Sequence, residues 1–124
     1  MATVDLTADT LAPTIQGDGI VLLDFWADWC GPCKAFAPNY EAVSEANPDI
    51  VFGKIDTEAE QALAAEFQIT SIPTLMIFRD GILVFAQPGA LPKPQLEQLV
   101  QGARDLDMED VKRQIAEQEA APQA

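Results

Sequence analysis

The sequence predicts an α/β fold, a central mixed sheet with helices on both faces. Three observations carry this. Residues 20–26, "IVLLDFW", are apolar on both alternating faces apart from one acid, the pattern of a central strand covered on each side. Segments of helical spacing separate this run from the next apolar runs, and such crossovers are long enough for parallel pairing. Further on, "TLMIF" and "ILVFA" are joined across Arg79-Asp80-Gly81, a hairpin turn with glycine where φ can be positive.

In chain order, "TVDL" is a weak strand candidate, and Thr7 offers an N-cap to a short helix that Pro13 breaks or kinks. Gly17-Asp18-Gly19 is a turn into the strand 20–26. From Cys33 the apolar positions Cys33, Phe36, Ala37, Tyr40 and Val43 have helical spacing, with a kink expected at Pro38 and closure at Asn47-Pro48. Residues 50–56, "IVFGKID", form a second buried strand. Thr57 and Glu60 form a capping box for a helix whose inner stripe is Ala59, Leu63 and Phe67. The hairpin follows, then a helix with Leu96, Leu99, Val100 and Ala103 on one face. The order is β-α-β-α-β-α-β-β-α, without internal repeat.

Residues 1–104 make one domain and residues 105–124 an appendage. In the appendage Asp107 caps a helix, Met108, Val111 and Ile115 share a face, Glu109 and Arg113 pair at i,i+4, and "AAPQA" is loose. Such a short helix is marginal alone, so it docks on the domain or frays. Its plainest reading is a solvated C-terminal helix, with a partner-binding tail as the alternative.

Composition narrows the chemistry. The chain has 124 residues, 48% of them hydrophobic, and a formal net charge of −13, which leaves no cationic surface to displace counterions from nucleic acid. The first twenty residues contain no Lys or Arg and no continuous apolar stretch, unlike a secretory or transit peptide. No apolar run approaches the ~20 residues that span a bilayer. The expectation is a cytoplasmic protein away from membranes, where thiols stay reduced. Histidine is absent, which removes imidazole-based nucleophilic catalysis, most catalytic zinc sites and His-ligated haem.

The only two cysteines, Cys30 and Cys33, lie in "DFWADWCGPCK". Their C-x-x-C spacing lets both sulfurs meet across one turn. Cys30 stands just before the helical pattern, where free backbone N–H groups and the positive end of the helix dipole favour a thiolate. Cys33 lies one turn in, less exposed, placed to attack a mixed disulfide formed at Cys30. Gly31 permits close approach of another chain, and Pro32 suits the first turn. A structural zinc site needs about four ligands, and two cysteines without histidine supply half of that. Redox chemistry is the reading that fits a pair opening a helix after a strand.

Asp24 lies in the middle of "IVLLDFW". Burial costs an unpaired carboxylate dearly, raises its pKa and keeps a proton on it near neutrality. It is the best candidate base for Cys33, directly or through a water. Ile72-Pro73 precedes the strand "TLMIF" and admits two readings: a proline at a strand start, or a cis peptide facing the cysteines.

Over roughly residues 3 to 104, "DFWADWCGPCK", "SIPT" and "PGA" stand in the order and separations of the thioredoxin family, which the sequence resembles. The resemblance implies the thioredoxin fold and a dithiol–disulfide oxidoreductase acting on protein disulfides. It implies Cys30 as the attacking and Cys33 as the resolving cysteine. Asp24 matches the family's buried acid and Lys54 the lysine near it. Pro73 matches the cis-proline opposite the disulfide. Trp29, Gly31, Pro32, Ile72, Gly89 and Ala90 match the flat apolar surface on which substrate chains lie. Trp26 resembles the indole under the active site and Pro38 the helix kink. Pro88, where a β-branched residue is common, departs from the pattern and bears on partner choice.

The resemblance implies as partners oxidised target proteins and an NADPH-dependent flavoprotein reductase, with no cofactor on this chain; the expectation is also of no metal and a monomeric state. Disulfide isomerases and oxidases usually carry histidine between the cysteines, so Gly31-Pro32 resembles the reducing branch. The alternative is a binding module, chaperone or subunit with incidental redox activity, supported only by the acidic C-terminal helix.

Overall fold

The computed structural model describes residues 2–120. Its elements run β1 (Thr3–Asp5), α1 (Ala8–Gln16), β2 (Ile20–Trp26), α2 (Gly31–Ala46), β3 (Val51–Asp56), α3 (Gln61–Glu66), β4 (Thr74–Arg79), β5 (Ile82–Pro88), α4 (Lys93–Asp105) and α5 (Met108–Ala120). The strands form one sheet ordered β1-β3-β2-β4-β5. Strands β1, β3 and β2 are parallel, and β4 and β5 run antiparallel to their neighbours.

Alternation along the strands divides the core into two layers. Ile20, Leu22, Phe52, Leu75 and Ile77 pack with Phe36, Tyr40 and Val43 of α2 and Leu96 and Val100 of α4. Val21, Leu23, Phe25, Ile55, Met76 and Phe78 pack on the opposite face with Leu11 of α1 and Leu63 of α3. Because β2 is central, every residue from Ile20 to Phe25 is buried, and Asp24 falls in phase with Leu22, on the α2 side.

Local chemistry explains most boundaries and corrects several expectations. Thr7 is the N-cap of α1, where Thr10 Oγ1 accepts from the Thr7 backbone N–H at 2.9 Å. The helix continues through Pro13 to Gln16 rather than breaking there. Helix α2 carries Pro38 within it, as the spacing implied, and Asn47 closes it with an N–H bond to the Ser44 carbonyl. The expected capping box at Thr57 and Glu60 does not form. Glu60 is the N-cap residue, and its Oε1 accepts instead from the Ala8 N–H at 2.7 Å. Thr57 Oγ1 donates to the Trp26 carbonyl at 3.0 Å. Ala59 is exposed and precedes the helix. The hairpin turn is the pair Asp80-Gly81, both at positive φ, while Arg79 still belongs to β4.

Arg79 joins the sheet to the last two helices. Its Nη1 donates to the carbonyls of Ala103, Arg104 and Leu106, at 2.7, 3.1 and 2.8 Å, which satisfies the C-terminus of α4. Asp107 Oδ1 then accepts from the Asp110 N–H and starts α5. Met108 is buried, and Val111 and Ile115 are half-buried, so this helix docks. Arg113 pairs with Asp110, not with Glu109 as the i,i+4 rule suggested. Residues 121–124, most of the expected loose tail, lie outside the described residues.

Candidate active site

The site forms where β2 ends and α2 begins. Cys30 is the N-cap of α2, and its Sγ accepts from the Cys33 N–H at 3.2 Å. One turn of helix sets the two Cα atoms 5.2 Å apart, and the sulfurs form a disulfide bond. The free N–H groups and dipole of the helix end point at Cys30, which favours negative charge on its sulfur once the bond is reduced. Exposure does not rank the pair as expected: both cysteines are 3% exposed. What separates them is position, because Cys30 lines an open groove of about 370 Å³ and Cys33 does not.

One wall of that groove is Trp29, 69% exposed, followed by Gly31 and Pro32. The other is the chain from Ile69 to Ile72. The Ile72 carbonyl lies 3.7 Å from the Cys30 sulfur, in reach of a reduced thiol's hydrogen. The Ile72-Pro73 bond is cis, which resolves the two readings left open by sequence. The Pro73 carbonyl accepts from the Gly89 N–H at 2.8 Å, and Gly89 has φ 123°, a left-handed conformation that suits glycine. Gly89 and Ala90 are exposed but lie outside the groove lining.

Beneath the disulfide, Trp26 packs against Ala27, Cys30 and Cys33. Asp24, two residues earlier on the same strand face, is 1% exposed. Burial pushes its carboxyl up to about 7, partly offset by the Lys54 ammonium. The register pairs Asp24 with Lys54 across β2 and β3, and the Lys54 Nζ sits 4.9 Å above the Trp26 ring, a cation–π contact. Tyr40 donates to the Gly53 carbonyl at 2.8 Å, and burial followed by the Asp24 charge raises its pKa well above the ordinary value. Asp24 Oδ1 and Trp26 Nε1 are buried without a hydrogen-bond partner among the described residues. Such a carboxyl holds its proton more tightly than an exposed acid and can exchange it near neutral pH.

One residue that sequence reasoning missed is Glu58, whose Oε1 accepts from the Trp29 indole N–H at 2.7 Å. The available signal was weak: an acid just past a strand that pairs with the one leading to the cysteines.

The thioredoxin family model matches residues 2–102. The chain belongs to the thioredoxin family. It is 56% identical over 119 residues to a putative thioredoxin 2 of Streptomyces coelicolor, covering 96% of this chain and 89% of the relative. It is 43% identical over 97 residues to a thioredoxin of Alicyclobacillus acidocaldarius, covering 77% and 92%. Thioredoxin F from spinach chloroplast superposes with a TM-score of 0.76 at 36% identity, over 84% of this chain and 96% of that one. A thioredoxin variant from Halobacterium salinarum gives 0.75 at 33%, over 84% and 91%. Family membership and the Cys30–Cys33 pair together make the chain a thiol–disulfide oxidoreductase of the protein-disulfide reductase type. Its partners are protein substrates and a reductase in general. Among the described residues, no helix is long and apolar enough to cross a membrane.

Proposed function

We propose that the chain is a reducing thioredoxin in which Cys30 is the nucleophile and Cys33 resolves. The observation that carries this is the position of Cys30, an N-cap sulfur opening onto the groove. The Cys30 thiolate attacks one sulfur of a target disulfide, forming a Cys30–target disulfide and releasing the other target sulfur as a thiolate. Cys33 loses its proton to the Asp24 carboxylate and attacks the Cys30 sulfur. The Cys30–Cys33 disulfide forms, the second target thiol leaves, and two electrons have passed to the target.

Lys54 tunes Asp24 through its charge. Trp29, Gly31, Pro32 and Ile72 hold an extended substrate segment, with backbone pairing near Ile72, while Pro73, Gly89 and Ala90 shape its far side. An NADPH-dependent flavoprotein reductase returns the electrons, and the chain works as a cytoplasmic monomer without a bound cofactor. Residues 1–104 carry this activity, and residues 105–124 are an extension of it.

Trapping tests the assignment. A Cys33→Ser variant should accumulate a mixed disulfide with an oxidised protein substrate, seen by mass on Cys30. A Cys30→Ser variant should form none. Adducts of equal yield on both variants would refute the division of roles. A binding module would retain its function in the Cys30→Ser variant, whereas a reductase loses it.

A further inference from the structure

The exposure of Trp29 is unusual for so large an apolar residue: it is 69% exposed at the mouth of the groove. A ring so placed presents a large apolar face that a partner can cover. Left alone it would sample several rotamers, and ordering a side chain on binding costs affinity. Here the ring is already tethered by the bond from its indole N–H to Glu58 Oε1 at 2.7 Å.

Glu58 is itself held. The β2–β3 register sets Trp26 opposite Asp56, bringing the loop after β3 beside the loop that leads to Cys30. The Trp26 carbonyl accepts both the Thr57 N–H, at 2.9 Å, and the Thr57 hydroxyl, at 3.0 Å. Asp56 Oδ1 accepts the N–H groups of Glu58 and Ala59, at 2.9 and 3.3 Å. These bonds fix the backbone from which the Glu58 side chain reaches across to the indole. The acceptor is a carboxylate, so the bond is of the stronger, charge-assisted kind.

We infer that Glu58 is a positioning residue that sets substrate preference: its carboxylate holds Trp29 as a preset wall of the groove, favouring capture of protein disulfides over small ones. A folded or extended chain must lie against that wall. A small disulfide needs only the Cys30 sulfur. The inference rests on the groove being the substrate site.

The test compares wild type, Glu58→Ala and Glu58→Gln in reducing insulin, with dithiothreitol as electron source, and in reducing the small disulfide dithiobisnitrobenzoate as pre-reduced protein freed of dithiothreitol, which would otherwise reduce that disulfide by itself. Immobilising one large side chain at binding corresponds to a change of about three- to tenfold in affinity. Glu58→Ala should therefore raise KM for insulin about three- to tenfold, leave kcat nearly unchanged and leave the small-disulfide rate untouched. Glu58→Gln keeps an oxygen acceptor but loses its charge, and should fall between wild type and Glu58→Ala. The Trp29 indole N–H resonance, assigned through Trp29→Phe, should shift in Glu58→Ala and exchange faster with solvent.

An unchanged KM for insulin in Glu58→Ala would overturn the inference. So would equal losses on both substrates, or a Glu58→Gln variant as impaired as Glu58→Ala. Wild type inert toward the small disulfide would instead overturn the reductase reading beneath it.

Discussion

Replacing Asp24 by asparagine should stabilise the oxidised protein at alkaline pH and change little near its acid limit. In the folded chain, burial lifts the carboxyl from its ordinary 3.8 to about 7, against a smaller lowering by Lys54. The folded state therefore binds the proton more tightly than the unfolded one. Between these two values folding takes up a proton, so stability contributed by Asp24 is full below the unfolded value and is lost as pH rises to the folded one. Above about 7 the ionised carboxylate is buried at full cost. The interval corresponds to about 4 kcal/mol, an upper figure because a relaxing interior lowers it. Asparagine removes the charge at every pH, and whatever its own amide costs is the same at both ends of the range. Guanidinium unfolding of both proteins at about pH 4 and about pH 8.5 measures the difference. With a slope of about 3 kcal/mol/M, the midpoint advantage of Asp24→Asn should grow by about 1 M across that range. A difference that does not vary with pH would refute the burial argument.

Other consequences follow from single contacts. A Cβ on Gly53 would lie 2.4 Å from Leu6 Cδ1 and 3.3 Å from Leu23 Cδ2, so Gly53→Ala should cost about 1–3 kcal/mol; an unchanged melting temperature would contradict this. Arg79→Ala leaves three carbonyls at the end of α4 without their donor, and should cost about 2–3 kcal/mol and speed proteolytic clipping near α5, without slowing disulfide reduction. Tyr40→Phe removes the hydroxyl bonded to the Gly53 carbonyl at a cost of about 1–2 kcal/mol, which chemical denaturation would read. The Asp49 carboxyl, held down to about 2 by its hydrogen bonds with Arg104, should return to the ordinary range in Arg104→Ala when followed by NMR titration.

Elements whose signal is local were legible in the sequence. The doubly apolar run 20–26 identified the central strand, since only a strand covered on both faces tolerates that pattern. Helical spacing gave α2 and α4, and Asp80-Gly81 gave the hairpin. The position of Asp24 in mid-strand was enough to predict its burial. What sequence concealed depends on partners far along the chain. Thr57 and Glu60 have the spacing of a capping box, yet the Trp26 carbonyl and the Ala8 N–H take their side chains, and only the parallel register brings those groups near. Proline at position 13 reads as a break or a kink, and the helix runs on through it to Gln16. Arg113 had acidic neighbours three and four residues back, and sequence spacing alone does not choose between them. The Glu58–Trp29 bond and the Arg79 clamp were invisible for the same reason: each joins two loops or elements that the fold, not the local sequence, sets side by side.

The most direct measurement is the reduction potential of the Cys30–Cys33 couple, by equilibration with dithiothreitol or glutathione and thiol labelling read by mass. Gly31-Pro32 places no cation between the cysteines to stabilise the reduced thiolate, and thioredoxin as a family lies at about −270 mV. A value at or below about −260 mV, under the cytosolic glutathione poise found by extraction, is the predicted result. A value above about −200 mV would contradict it and make the chain an oxidant or isomerase.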